Sequence, residues 1–245
     1  MIEQTVDIAT QHGAATTFIA HPEREGPHPV VLFFMDAPGI REELRDMARR
    51  MATAGYYVML PNLYYRRGVL ELKDLPPLPE AESRARMFDL MGSISIPLVM
   101  SDADALLNFA DLDPAAGKGK IATVGYCMSG QYAICFAARY PERVAAAASI
   151  YGVQLVTDKA DSPHLAAQKA RGELYFACAE HDSYAPLEMV EALDQTVKSK
   201  NLNAEVELYP EAHHGFAFPQ RAVYDKPAAE RHWERLFALW RRRLG

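Results

Sequence analysis

The 245-residue chain holds only three cysteines, Cys127, Cys135 and Cys178, with no CxxC pair. An odd, unpaired set of this kind supports neither a disulfide framework nor a zinc site, and it leaves at least one thiol free to react. No HExxH or comparable cluster gathers the eight histidines, so neither metal nor cofactor is called for. Basic residues are outnumbered, 26 Lys and Arg against 32 Asp and Glu, for a formal net charge of -6. That balance lacks the broad basic footprint of a nucleic-acid binder. No uncharged apolar run approaches the ~20 residues a membrane span requires, and MIEQTVDIATQHG has neither a positive n-region nor an apolar h-region. The expectation is a cytoplasmic enzyme acting on a small molecule, monomeric or homodimeric, with no nucleic-acid or membrane partner.

What is present is an alternation of short apolar runs with helical patterns. Thr16 to Ala20, after His12-Gly13, reads as half of a β-hairpin, and Pro29 to Phe34 (PVVLFF) is a continuous apolar run of the kind buried on both faces of a parallel sheet. Leu44, Met47, Ala48, Met51 and Ala52 fall at helical spacing before Gly55, and Tyr56 to Leu60 is the next strand. From Pro61 to Pro97 the pattern weakens into a proline-rich connection and a helix over Glu80 to Met91, read as a substrate-facing excursion. Ser101 is placed as the cap of a helix reaching about Ala110. Further strands are predicted at Lys120 to Tyr126, Val144 to Tyr151, Glu173 to Ala179 and Ala204 to Leu208. Helices are predicted over Pro186 to Lys200 and about Ala228 to Arg243. The succession predicts an α/β fold with a doubly wound, mostly parallel sheet and helices on both faces, and no linker divides residues 1–245. The three arginines 241–243 read as favourable charge at a helix end rather than a binding patch.

Gly125-Tyr126-Cys127-Met128-Ser129-Gly130, between a predicted strand and a predicted helix, has the outline of a nucleophile elbow. In such a turn the nucleophile takes a strained backbone conformation and small neighbours let the chain segments approach. Cys127 stands where serine is usual. A thiolate serves there because it is the stronger nucleophile and the helix N-terminus favours its charge. The competing reading is a buried structural cysteine that happens to precede a helix.

GYCMSG resembles the GxCxGG elbow of the dienelactone hydrolase family, an α/β-hydrolase group, and the similarity extends from Pro29 to Trp240, including AGYYVMLPNLYYR after the first helix. The resemblance implies an acid in the segment from Ala177 to Pro186, matching Asp182, and a histidine in YPEAHHGF, matching His214. Glu180 is the nearer rival for the acid, ahead of Asp158, Asp161 and Asp194, and His213 is the rival for the base. The order nucleophile, acid, histidine suits loops at the carboxyl ends of successive strands. The implied activity is hydrolysis of a carboxylic ester or lactone: Cys127 attacks, His214 is its base, Asp182 orients the base, and an acyl-thioester forms. The amides of Met128 and Ala37 are expected to form the oxyanion hole. In the family a glutamate contacting the resting thiol falls at Asp36, and an arginine four residues after the histidine falls at Phe218. Asp36, Arg84, Phe216 and Phe218 are therefore the expected substrate-binding positions. Transfer of the acyl group to an alcohol or amine, a non-catalytic ligand-binding relative, and a redox-sensing thiol are the alternatives.

Overall fold

Eight strands, mostly parallel, and seven helices make an α/β fold in a computed structural model that describes residues 1–245. The residues cluster into two compact units, 1–119 and 120–245.

In the first unit β1 (Ile2–Thr10) and β2 (Gly13–His21) pair antiparallel from Ile2↔His21 to Thr10↔Gly13, so the hairpin turns over Gln11-His12. β2 continues antiparallel onto β4 (Tyr57–Pro61), which runs parallel to β3 (Val30–Phe34). Every residue of β3 and β4 is buried, which is why neither shows polar alternation. Helix α1 (Glu42–Thr53) joins them and lays Leu44, Met47, Ala48, Met51 and Ala52 inward against the strands. Helix α2 (Glu80–Gly92) buries only Leu90.

Helix α3 (Ile96–Leu112) begins a turn and a half before the position expected from sequence. Ser95 is the cap, with Pro97 in the first turn where its missing N–H costs nothing. Ser101 instead lies inside the helix, its hydroxyl donating to the Leu98 carbonyl at 2.6 Å.

The second unit is built on four parallel strands in the order β5 (Ile121–Tyr126), β6 (Val144–Ile150), β7 (Glu173–His181) and β8 (Ala204–His213). Helix α4 (Gly130–Arg139), the short α5 (Pro163–Ala166), α6 (Leu187–Ser199) and α7 (Lys226–Leu244) complete it. β5 is buried throughout because α4 and α7 both pack on it. β8 extends past the expected end at Leu208, carrying Glu211 at φ 59° and a register irregularity opposite Ala179 to His181. β8 pairs only with β7 within the unit, and half of its residues are exposed. At the end of α7, Arg242 and Arg243 both pair with Glu173 on β7. No single helix is long and apolar enough to cross a membrane.

Candidate active site

Parallel strands deliver their carboxyl ends to the same edge of a sheet, and loops there collect functional residues. In the second unit His181 at the end of β7 is in register with His213 at the end of β8, so the residues that follow, Asp182 and His214, emerge side by side. Gly215, at φ 94°, turns the chain away directly after His214.

Cys127 follows β5 in a single 3-10 turn, Cys127–Ser129, that leads straight into α4. Its φ is 54°, left-handed for a residue with a side chain, and such strain costs ~1–3 kcal/mol unless the surroundings enforce it. The surroundings do. A Cβ on Gly125 would stand 2.0 Å from the Ser129 carbonyl oxygen, and one on Gly130 would stand 2.7 Å from the Gly152 Cα, so only glycine permits this reversal. The Cys127 carbonyl is held by the Val153 amide at 3.2 Å.

The three side chains meet. His214 Nδ1 lies 2.7 Å from Asp182 Oδ2, and the ring is also hydrogen-bonded to the Cys127 thiol. The other carboxylate oxygen of Asp182 accepts the amides of Tyr184 (2.8 Å) and Ala185 (3.1 Å), which fixes its plane. The Asp182 side chain is wholly buried, that of His214 one-tenth exposed, and Cys127 is half-buried. Burial of the imidazole opposes its charge, but hydrogen bonds to Asp182 and Cys127 and the charges of both outweigh it, raising its pKa to about 9. By contrast, burial pushes the thiols of Cys135 and Cys178 up to about 12, with Asp161 and Asp182 adding to the respective shifts.

The rivals are accounted for. Glu180 spends a carboxylate oxygen on the Glu211 amide at 2.7 Å, and the exposed His213 ring leans on His181 with centroids 5.1 Å apart. Of side chains able to hold a metal ion, Glu180, His181 and Glu211 bring one ligating atom each within 4.8 Å of the others, with His181 and Glu211 exposed to solvent.

Other expected site residues are placed differently. Phe216 and Phe218 are fully buried, against Tyr151 and Tyr209 for the first and Tyr126 and Tyr151 for the second. Both rings are enclosed by aromatic neighbours rather than open to solvent. Asp36, in the first unit, is fully buried with both carboxylate oxygens on Arg41, at 2.5 and 3.2 Å. Ala37 is also buried, its carbonyl accepting the Tyr64 hydroxyl at 2.6 Å. Arg84 stands exposed on α2, its guanidinium 5.8 Å from the Phe88 ring centroid. Met128, buried, occupies the second place of the turn that opens α4.

Two tyrosines that sequence reasoning missed flank His214. Tyr151 and Tyr184 set their rings edge-on to His214 at 5.1 and 5.0 Å. Tyr151 sits at φ 37° directly after β6, a strain invisible in the string SIYGV, whereas Tyr184 lies two residues beyond Asp182 and is 46% exposed.

The α/β fold, with a strained strand-to-helix turn after β5, is the architecture of the α/β-hydrolases. The sequence profile described as the dienelactone hydrolase family matches residues 15–244, and the chain belongs to that family. It is 30% identical over 234 residues to a Yersinia pestis protein named "Putative carboxymethylenebutenolidase", covering 94% of this chain and 84% of that one. It is 27% identical over 242 residues to a Synechocystis protein of the same name, covering 98% and 96%. Among solved structures, "Putative Dienelactone Hydrolase" from Klebsiella pneumoniae superimposes with a TM-score of 0.86 at 26% identity, over 98% of both chains.

Proposed function

We propose that the protein hydrolyses carboxylic esters or lactones through Cys127, His214 and Asp182, by way of an acyl-thioester. The observation that carries this reading is the His214 ring, bound through Nδ1 to Asp182 and hydrogen-bonded to a cysteine sulfur on a strained strand-to-helix turn.

With Nδ1 committed to Asp182, Nε2 is the nitrogen that serves the sulfur. The Cys127 thiolate attacks the acyl carbon and the carbonyl π electrons move to oxygen. That oxyanion is held by the Met128 amide, on the residue that directly follows the nucleophile in the turn leading into α4. Collapse of the intermediate breaks the C–O bond, and His214 passes its Nε2 proton to the departing alkoxide. A water molecule then gives a proton to Nε2 while its oxygen attacks the thioester. Sulfur leaves as thiolate, the imidazolium is restored and the carboxylic acid departs.

The names of the relatives point to a lactone carrying a carboxylate. Phe218 stands where the family places a carboxylate-binding arginine and is buried, which supports simple esters as substrates alongside such lactones. The test is hydrolysis of a short-acyl nitrophenyl ester by the parent and by Cys127→Ala. Parent turnover that falls to background in the variant supports the reading, and equal turnover ends it.

A further inference from the structure

We infer that His232, on the last helix and away from the triad in sequence, is a positioning residue for the nucleophile turn, acting through the hydroxyl of Tyr126. The inference rests on Cys127 being the nucleophile.

Both side chains are completely excluded from solvent. His232 Nδ1 bonds the Ala229 carbonyl, which can only accept, so Nδ1 carries the hydrogen of the neutral ring. Nε2 is then an acceptor, and the Tyr126 hydroxyl, 3.0 Å away, donates to it. The pair is directional, with each atom's role set by its neighbour.

Tyr126 is the last residue of β5, joined directly to Cys127. Its ring also packs edge-on against Tyr151 at 5.8 Å, and Tyr151 packs on His214 at 5.1 Å. One side chain thus touches the two halves of the chemistry, the nucleophile through the backbone and the base through a single aromatic neighbour. Beside it Tyr151 and Phe218 add ring contacts, with centroids 5.8 and 5.6 Å away. The hydrogen bond from Tyr126 to His232 adds a directional contact to this layer and fixes the angle of the Tyr126 ring. A left-handed turn held under strain needs such a reference, since small displacements of a reacting atom cost rate steeply.

The experiment compares parent, Tyr126→Phe, His232→Phe and His232→Gln with a nitrophenyl ester, alongside the alkylation rate of Cys127 by iodoacetamide and the melting temperature. Tyr126→Phe and His232→Phe are expected to lose about 10- to 100-fold in kcat with KM near the parent value. Their alkylation rates should fall in parallel. His232→Gln, whose carbonyl oxygen can still accept from Tyr126, is expected to recover most of both. A purely structural role would lower the melting temperature and leave kcat and alkylation unchanged well below it, and that result overturns the inference. Failure of both phenylalanine variants to fold also overturns it, by assigning the pair to folding. Cys127→Ala is run in the same assay: its inactivity beside a parent-like Tyr126→Phe rejects the positioning role alone, whereas its full activity rejects the nucleophile reading beneath it.

Discussion

Asp182 holds His214 with one oxygen and its own loop with the other: Oδ2 meets Nδ1 at 2.7 Å while Oδ1 takes the amides of Tyr184 and Ala185. The division of labour explains why the carboxylate can be buried without loss. Each oxygen trades water for donors, and the imidazole acquires a fixed tautomer and plane.

Asp182→Asn should therefore separate orientation from charge. The loop amides demand an acceptor at Oδ1, which turns the new NH2 group toward His214 and forces the unproductive tautomer. A loss of about 10²- to 10⁴-fold in kcat is expected, with folding preserved. Steady-state kinetics with circular dichroism as a folding control checks it, and a parent-like kcat would count against the role given to Asp182.

The raised pKa of His214 has a stability consequence of known sign. The folded state binds this proton more tightly than the unfolded chain, so the contribution is fully present below the unfolded value near 6.5. It is lost as pH rises through about 9. Urea denaturation should show the His214 contribution falling away as pH rises between about 6.5 and about 9.5. In Asp182→Asn that slope should be reduced, because two of the four groups of interactions that raise the pKa are lost, whereas superimposable profiles for the two proteins would contradict it.

Thiol labelling should discriminate sharply among the three cysteines. Cys127 is half-buried beside a raised-pKa imidazole, whereas Cys135 and Cys178 are buried with thiols pushed up to about 12. Iodoacetamide at neutral pH is expected to modify one cysteine, found by peptide mapping at position 127. Comparable labelling of Cys135 or Cys178 in native protein would refute this.

Glycine substitutions test the tightness of the turn. Gly125→Ala places a methyl group 2.0 Å from a backbone oxygen and should abolish soluble protein or cost more than about 4 kcal/mol. Gly92→Ala, at the end of α2 with nothing within 4 Å of the new Cβ, should be neutral or stabilising by up to ~1 kcal/mol. Thermal melts of the two variants decide it.

Much of this architecture is legible in the chain because the signals are local. PVVLFF and KIATVGY are apolar without alternation, as strands covered on both faces must be, and the elbow, Asp182 and His214 each lie in short phrases directly after a strand. What escapes a linear reading depends on neighbours distant in sequence or on choices between equal local signals. Ser95 and Ser101 are both plausible caps, and Pro97 in the first turn decides between them. Phe216 and Phe218 announce apolar surface without saying whether it faces a ligand or the core. Asp36 looks like a ligand-facing acid until Arg41, five residues on, takes both its oxygens. His232 sits in a helix rich in charge, and nothing in ERHWER marks it as wholly buried against a tyrosine 106 residues earlier.

The covalent step is the most direct point of attack on the account. Rapid quenching of the Asp182→Asn variant with nitrophenyl acetate, followed by peptide mass spectrometry, should reveal one acetyl group on the peptide containing Cys127, discharged by hydroxylamine. Ester turnover with the acyl group found on another residue, or turnover undiminished in Cys127→Ala, would contradict it.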